Sequence, residues 1–343
     1  MTVDVVSRGP GPDGLVVDRA RRARVTRMVI GYGVVVAVLP YLVLKVLWIG
    51  GVMVGVPEGS PARGADFVAP NIVTAVMDVV AILVAVAFTH RWGLRLPAWL
   101  VLAPVWVGIG LLTPAVIEVV NGALAGTVTG GREVSLTGGL VAPWTYVVVY
   151  TSFALQGVLL SAAFLGYAGS RWSYLFDRPS ASGSGATRGL QVVLARAGGA
   201  AAAAIAVAHL VMAFGAEGAF VGAYQEGWEY TARSGEVVNA VMAASAAAGV
   251  LLMLRQPTAG SRTAARVGLA LTWVGTGAMF GYAMLTLLAV VLGAPESDNV
   301  TALNGLTQLG ALLAGAALAI TAVLHLLERR PGGQHPAIAG ATL

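Results

Sequence analysis

Three ionisable side chains, Lys45, Asp78 and Glu118, lie inside long apolar stretches. A charge at membrane depth is costly, so one that occurs there is either paired or at work. Asp78 is the sharpest of the three, because Asn71 and Thr74 precede it by seven and four residues. That spacing places all three on one helix face. A carboxylic acid held in an apolar site can give a proton to a weakly basic group such as an alkene or an epoxide. Asp78 is therefore the candidate catalytic acid, and Glu118 a second acid or base. The alternatives for Asp78 are a structural carboxylate hydrogen-bonded to a neighbouring helix and a proton or ion ligand.

Lys45 is the only lysine beside 20 arginines, so it is a position where the ammonium itself could matter. Pairing it with Asp78 or Glu118 would lower the cost of burying either charge. From roughly 9 Å below the outer surface, at about 1.5 Å per residue, it could instead snorkel to the interface beside Trp48. Glu118 follows Pro114 by one turn, and a proline kink there would aim it inward. Close to the outer end of its span, it could equally reach water and headgroups.

At comparable depth lie His209 and the Asn304, Thr307 and Gln308 face of the last span, expected to complete a polar chamber. Tyr150, at the top of the fourth span with Trp144 and Tyr146, either covers the chamber or belongs to an interfacial aromatic belt. The loop Tyr224 to Tyr230 would cover it with Trp228 as a lid, unless its aromatics form an interfacial belt. The expected substrate contacts are thus Lys45, Trp48, Asn71, Thr74, Tyr150, His209, Trp228 and Gln308. His90, His209, His325 and His335 show no metal-ligand spacing, so neither a metal nor a cofactor is expected.

The elements that must position these residues are membrane spans. Of 343 residues 57% are hydrophobic and 11% charged, about half the charge of a soluble domain. Apolar runs fall at about 28–51, 68–89, 97–120, 141–167, 192–216, 236–254, 265–293 and 300–327, each near the roughly 20 residues that cross a bilayer. The expected fold is all-α, a polytopic membrane helical bundle of about eight transmembrane helices. Arg91, Arg95, Arg171, Arg178, Arg188, Arg255, Arg262, Arg329 and Arg330 fall in alternate connections and after the last run. The positive-inside rule makes that side cytoplasmic, with both termini there and the cell membrane as location. The same asymmetry accounts for the net charge of +5 with no nucleic-acid partner; the partners expected are the lipid bilayer and a hydrophobic small molecule.

The chain divides into a basic cytoplasmic tail at 1–27, a first four-helix half at 28–167, a linker at 168–191, a second half at 192–327 and a tail at 328–343. The Ser180 to Gly185 stretch has linker composition. Ala75-Val76-Met77 recurs as Ala240-Val241-Met242, a sign that the halves are parallel copies. Asp78 meets Ala243 in that alignment. Gly277 with Gly281, and Gly310 with Ala314, have the small-residue spacing of close helix packing.

Pro40-Tyr41-Leu42-Val43-Leu44-Lys45-Val46-Leu47-Trp48-Ile49-Gly50 resembles a PYxxLKxxWxxG pattern of uncharacterised multi-pass membrane proteins of GC-rich bacteria. The resemblance covers the first span and implies that Lys45 and Trp48 matter; it brings no activity with it. There is no GxxxxGK[ST], HExxH, GxSxG or DDxxD motif, which argues against ATP hydrolysis, zinc proteolysis, a serine hydrolase and diphosphate-holding magnesium. The absence of cysteine excludes thiol chemistry. The leading expectation is a membrane-embedded enzyme that uses a buried carboxylic acid on a lipid or isoprenoid, with protonation of the terpene-cyclase kind. Its rivals are a proton- or ion-coupled transporter of small molecules and a noncatalytic membrane partner or immunity protein.

Overall fold

In hydrocarbon every backbone N–H and C=O must find its partner within the protein, and a helix does this within one segment. The computed structural model describes residues 12–64, 67–128, 140–172, 186–215, 229–254, 262–293 and 301–328. Among them are eight long helices and no strand: α1 Pro12–Ile49, α2 Val68–Thr89, α3 Ala98–Val128, α4 Pro143–Arg171, α5 Arg188–Phe214, α6 Glu229–Leu254, α7 Arg262–Val291 and α8 Ala302–Glu328. All eight are long and apolar enough to cross a membrane. The chain is a multi-pass membrane protein. The expected linker at Ser180 to Gly185 and most of the loop with Trp228 lie outside the described residues.

The helices overrun the apolar runs where polarity changes but hydrogen bonding does not. In α1 the apolar window is Arg24–Ile49, while the helix already begins at Pro12. The third span closes at Gly122, yet α3 continues to Val128. Glu229 and Tyr230, expected in a loop, form the first turn of α6.

Each set of four helices has the same order of neighbours. In the first, α1 packs on α2 and α4, and α3 on α4; in the second, α5 packs on α6 and α8, and α7 on α8. The rings differ at their last seam. Helices α6 and α7 are closely joined, whereas α2 barely touches α3. Across the middle α3 packs on α7, where an added Cβ at Gly110 would fall 2.1 Å from the Gly277 carbonyl carbon. Trp106 Nε1 donates to Thr276 Oγ1 at 3.0 Å beside that crossing.

Polar contacts hold the helix ends. At the arginine-rich side the Tyr167 hydroxyl donates to Gly93 O at 2.8 Å, and Arg171 donates to the Tyr167 hydroxyl and to Leu96 O. In the second half Glu328 of α8 caps α5: one carboxylate oxygen accepts from Thr187 N at 2.8 Å and Thr187 Oγ1 at 2.6 Å, the other from Gln191 at 2.8 Å. At the opposite side the segment 50–64 folds over the ends of α1 and α4. Gly55 O there accepts from Ala142 N at 2.8 Å and Thr145 Oγ1 at 3.1 Å. Gly55 has φ 72°, and a Cβ would lie 2.0 Å from Thr145 Oγ1, so glycine is needed both for the turn and for the close approach.

Candidate functional site

Lys45 near the end of α1 and Asp78 in the middle of α2 meet in the first half. Lys45 Nζ donates to Asp78 Oδ2 at 2.7 Å. The Tyr41 ring, one turn earlier on α1, lies 3.9 Å from the same nitrogen, within cation–π range. Gln156 of α4 gives the Asp78 carboxylate a second side-chain hydrogen bond. Lys45 is only 1% exposed and Asp78 6%. Lysine therefore does not snorkel here, because a carboxylate within reach satisfies its charge inside the protein. The acid does not stand alone either: it is half of a charge-balanced base–acid couple.

The couple borders a cavity of about 470 Å³ where α2 and α3 part. Thr74, Asp78, Ala81 and Val84 of α2 face Ala103, Gly108 and Leu112 of α3 across it, with Gln156 of α4 and Tyr282 of α7 also on its wall. Apart from Lys45, Thr74, Asp78, Gln156 and Tyr282 the lining is apolar. Val76, which is 58% exposed, and the exposed Ala103 belong to the same wall, so the cavity opens sideways, toward lipid. Its depth on α2, from Thr74 to Val84, spans the middle of the helix. Above Lys45 the segment 50–64 covers the ends of α1 and α4, and in it Val54 O accepts from Trp48 Nε1 at 2.9 Å and Val56 O from Arg63 at 2.8 Å.

No protein-family model, curated protein or solved structure matches this chain. What the site can do is read from its own geometry.

The other expected residues distribute as follows. Asn71 is buried but turns back to its own helix, donating to Phe67 O at 2.8 Å. Thr74 lines the cavity while its hydroxyl bonds Pro70 O at 3.0 Å. Trp48 is buried among Leu44, Val56, Ala62 and Val149 and holds the cap, away from the cavity wall. Tyr150 stacks on Tyr146 at 4.1 Å, also off that wall.

Glu118 belongs to a second cluster, between α3 and α6. Ser234 Oγ donates to its Oε2 at 3.0 Å, and its Oε1 is buried without a hydrogen-bond partner among the described residues. The carboxylate is within electrostatic range of the Tyr146 and Tyr282 phenols. Glu118 is thus turned into the protein, next to the cavity through Tyr282, and does not touch the Lys45–Asp78 couple.

The single chamber expected from the sequence is divided. His209 of α5 pairs with Glu236 of α6, Nδ1 to Oε2 at 2.5 Å. Asn304, Thr307 and Gln308 are buried in α8, within the second ring; none of them, nor His209, lines the cavity. The physical reason is that α5 and α8 complete their own ring and leave only α3, α6 and α7 at the boundary. Trp228 lies outside the described residues. Sequence reasoning missed Gln156, Tyr41, Glu236 and Tyr282. Gln156 carried a usable signal, an amide within an apolar run four residues after Ser152 and on its face. Among the described residues no three His, Asp or Glu side chains converge as a metal site.

Proposed function

We propose that this protein takes an unsaturated lipid or isoprenoid sideways from the bilayer and isomerises or cyclises it by acid–base chemistry at the Lys45–Asp78 couple. The observation that carries the reading is a mid-membrane cavity, open toward lipid, with a buried ammonium and carboxylate 2.7 Å apart on its wall. With the shared proton on Asp78, the carboxylic acid can deliver it to a double bond while the Lys45 amine receives one from a neighbouring carbon, and that proton returns to Asp78 across the 2.7 Å hydrogen bond. The reaction then balances without a second substrate. Gln156 holds the carboxylate, and the Tyr41 ring supports the ammonium. A largely apolar wall excludes water from cationic character that develops on the chain. Tyr282 is a polar contact on the cavity wall, and Glu118, behind it, is a second acid. In this reading the protein resides in the cell membrane with the arginine-bearing side and both termini in the cytoplasm.

The volume is that of a small-molecule site, which range over roughly 300–1,000 Å³. The test is to incorporate wild type, Asp78→Asn and the double variant Lys45→Met/Asp78→Leu into liposomes with a total lipid extract. Because an isomer keeps the mass of its substrate, products are separated by chromatography and identified by proton NMR while internal pH is followed. Conversion of a lipid to an isomer by wild type alone, at constant internal pH, is the expected outcome; no isomeric product with any protein overturns the enzyme.

Coupled transport is the second reading, and the His209–Glu236 pair favours it. Among the described residues each ring then holds a titratable base–acid pair that joins its first helix to its second. Proton movement by wild type alone, with no isomeric product, would put transport in place of catalysis.

A further inference from the structure

We infer that the ligand of the cavity is an uncharged single-chain lipid whose one polar group is an oxygen, and that phosphorylated lipids are excluded. This assignment rests on reading the α2–α3 cavity as the binding site. Among the described residues on its wall the only cation is Lys45, and that charge is met by Asp78 at 2.7 Å. No arginine among the described residues lines the cavity, although fork geometry is what makes arginine effective on phosphate. A phosphate entering here would add two negative charges to a balanced pair. It would also bring them near Asp78, ten residues into α2, about 15 Å along the span. Unpaired charge at that depth is strongly disfavoured.

A neutral oxygen has a place to go. The Lys45 ammonium carries three N–H donors, and its hydrogen bond to Asp78 uses one. A hydroxyl or carbonyl oxygen can accept from the same nitrogen at the cavity wall, with Gln156 beside it. Toward the arginine-rich side the wall becomes Ala81, Val84, Ala103 and Pro104, so the chain lies in that direction. Because exposed Val76 and Ala103 belong to the cavity wall, the molecule can enter through the lateral gap, as a lipid without a large headgroup can.

Tritiated farnesol and farnesyl diphosphate share one chain and differ in charge, so they are suitable probes for the full-length protein in phosphatidylcholine nanodiscs. Farnesol is expected to bind once per protein and about tenfold or more tighter than the diphosphate. Gly108→Leu should lower farnesol affinity about tenfold, because a Cβ there would meet only Leu160 at 3.6 Å and the rest of the side chain would fill the cavity. Ala81→Phe serves as a second plug should the first disturb folding, checked by thermal unfolding. Equal or tighter binding of the diphosphate overturns the assignment, as does failure of both probes to bind or wild-type farnesol binding by both folded plug variants. Farnesol binding while neither farnesol nor any lipid of the extract gives an isomeric product on chromatography would retire the enzyme reading and leave the ligand assignment standing.

Discussion

The two four-helix rings have the same neighbour order, yet one is sealed and the other is open. Aligned on Ala75-Val76-Met77 and Ala240-Val241-Met242, the α2 face Asp78, Ala81 and Val84 corresponds to Ala243, Ala246 and Gly249 of α6. In the second ring that face is small, and α7 comes down on it. A Cβ at Gly249 would lie 2.4 Å from Thr272 N, and one at Gly275 2.4 Å from Ala246 N. Ala243 and Ala246 are fully buried. In the first ring the same face carries a carboxylate and a valine, and α2 has no glycine at all. Between membrane helices close packing depends on small residues, since lipid is as apolar as leucine. Bulk and charge on α2 therefore leave a gap where alanine and glycine on α6 close one. The cavity is the consequence of a few side chains at one seam.

The strongest way to break this comparison is to unbalance the open ring. Lys45→Met or Asp78→Leu alone strands a buried charge and is expected to cost about 3–5 kcal/mol. The double variant removes both charges and should recover most of that stability while losing lipid conversion. Denaturant unfolding in lipid or detergent micelles, with chain conversion measured in parallel, reads both quantities. Should the double variant be as unstable as either single one, the pair is not the unit described here and the two charges are stabilised separately.

Next in size is a substitution that forces the sealed ring open. Gly249→Val gives α6 the residue that α2 carries at Val84, and its Cβ meets α7 backbone. The expected cost is about 1–3 kcal/mol, the range for overpacking, with α6 displaced from α7. A cysteine-free chain makes the displacement measurable: spin labels on cysteines placed at exposed Val241 and Val267 should move apart. A neutral outcome, with unchanged distance, would mean that the small-residue contact is not what closes the second ring.

Much of the frame was legible before the structure. Eight apolar runs announced eight helices, because hydrocarbon thickness sets a minimum length. Their true ends were not, since α1, α3 and α6 continue through polar residues that still satisfy helical hydrogen bonds. Lys45 and Asp78 stood out as charges within apolar runs, and their pairing was among the expected arrangements. That His209 and Gln308 belong to a separate ring could not be read, because depth in the bilayer says nothing about neighbours around the bundle. Glu236 was hidden by its position at the edge of an apolar run, where an acid looks solvated. The cavity had no signature of its own: it depends on which faces of α2 and α3 confront each other.

The smallest expected effect tests whether the rings act separately. Glu236 is 17% exposed along its side chain and bonds His209 at 2.5 Å, so Glu236→Gln keeps a hydrogen-bonding group of the same shape and removes only the charge. A loss of about 1 kcal/mol is expected, the ordinary value for one such bond. Farnesol binding and lipid conversion should stay at the wild-type level, because neither residue of the pair borders the cavity. An effect on conversion as large as that of Asp78→Asn would mean that the two base–acid pairs work together across α3, α6 and α7. The resemblance between the rings would then be functional, and the proton-coupled reading would gain at the expense of a single catalytic site.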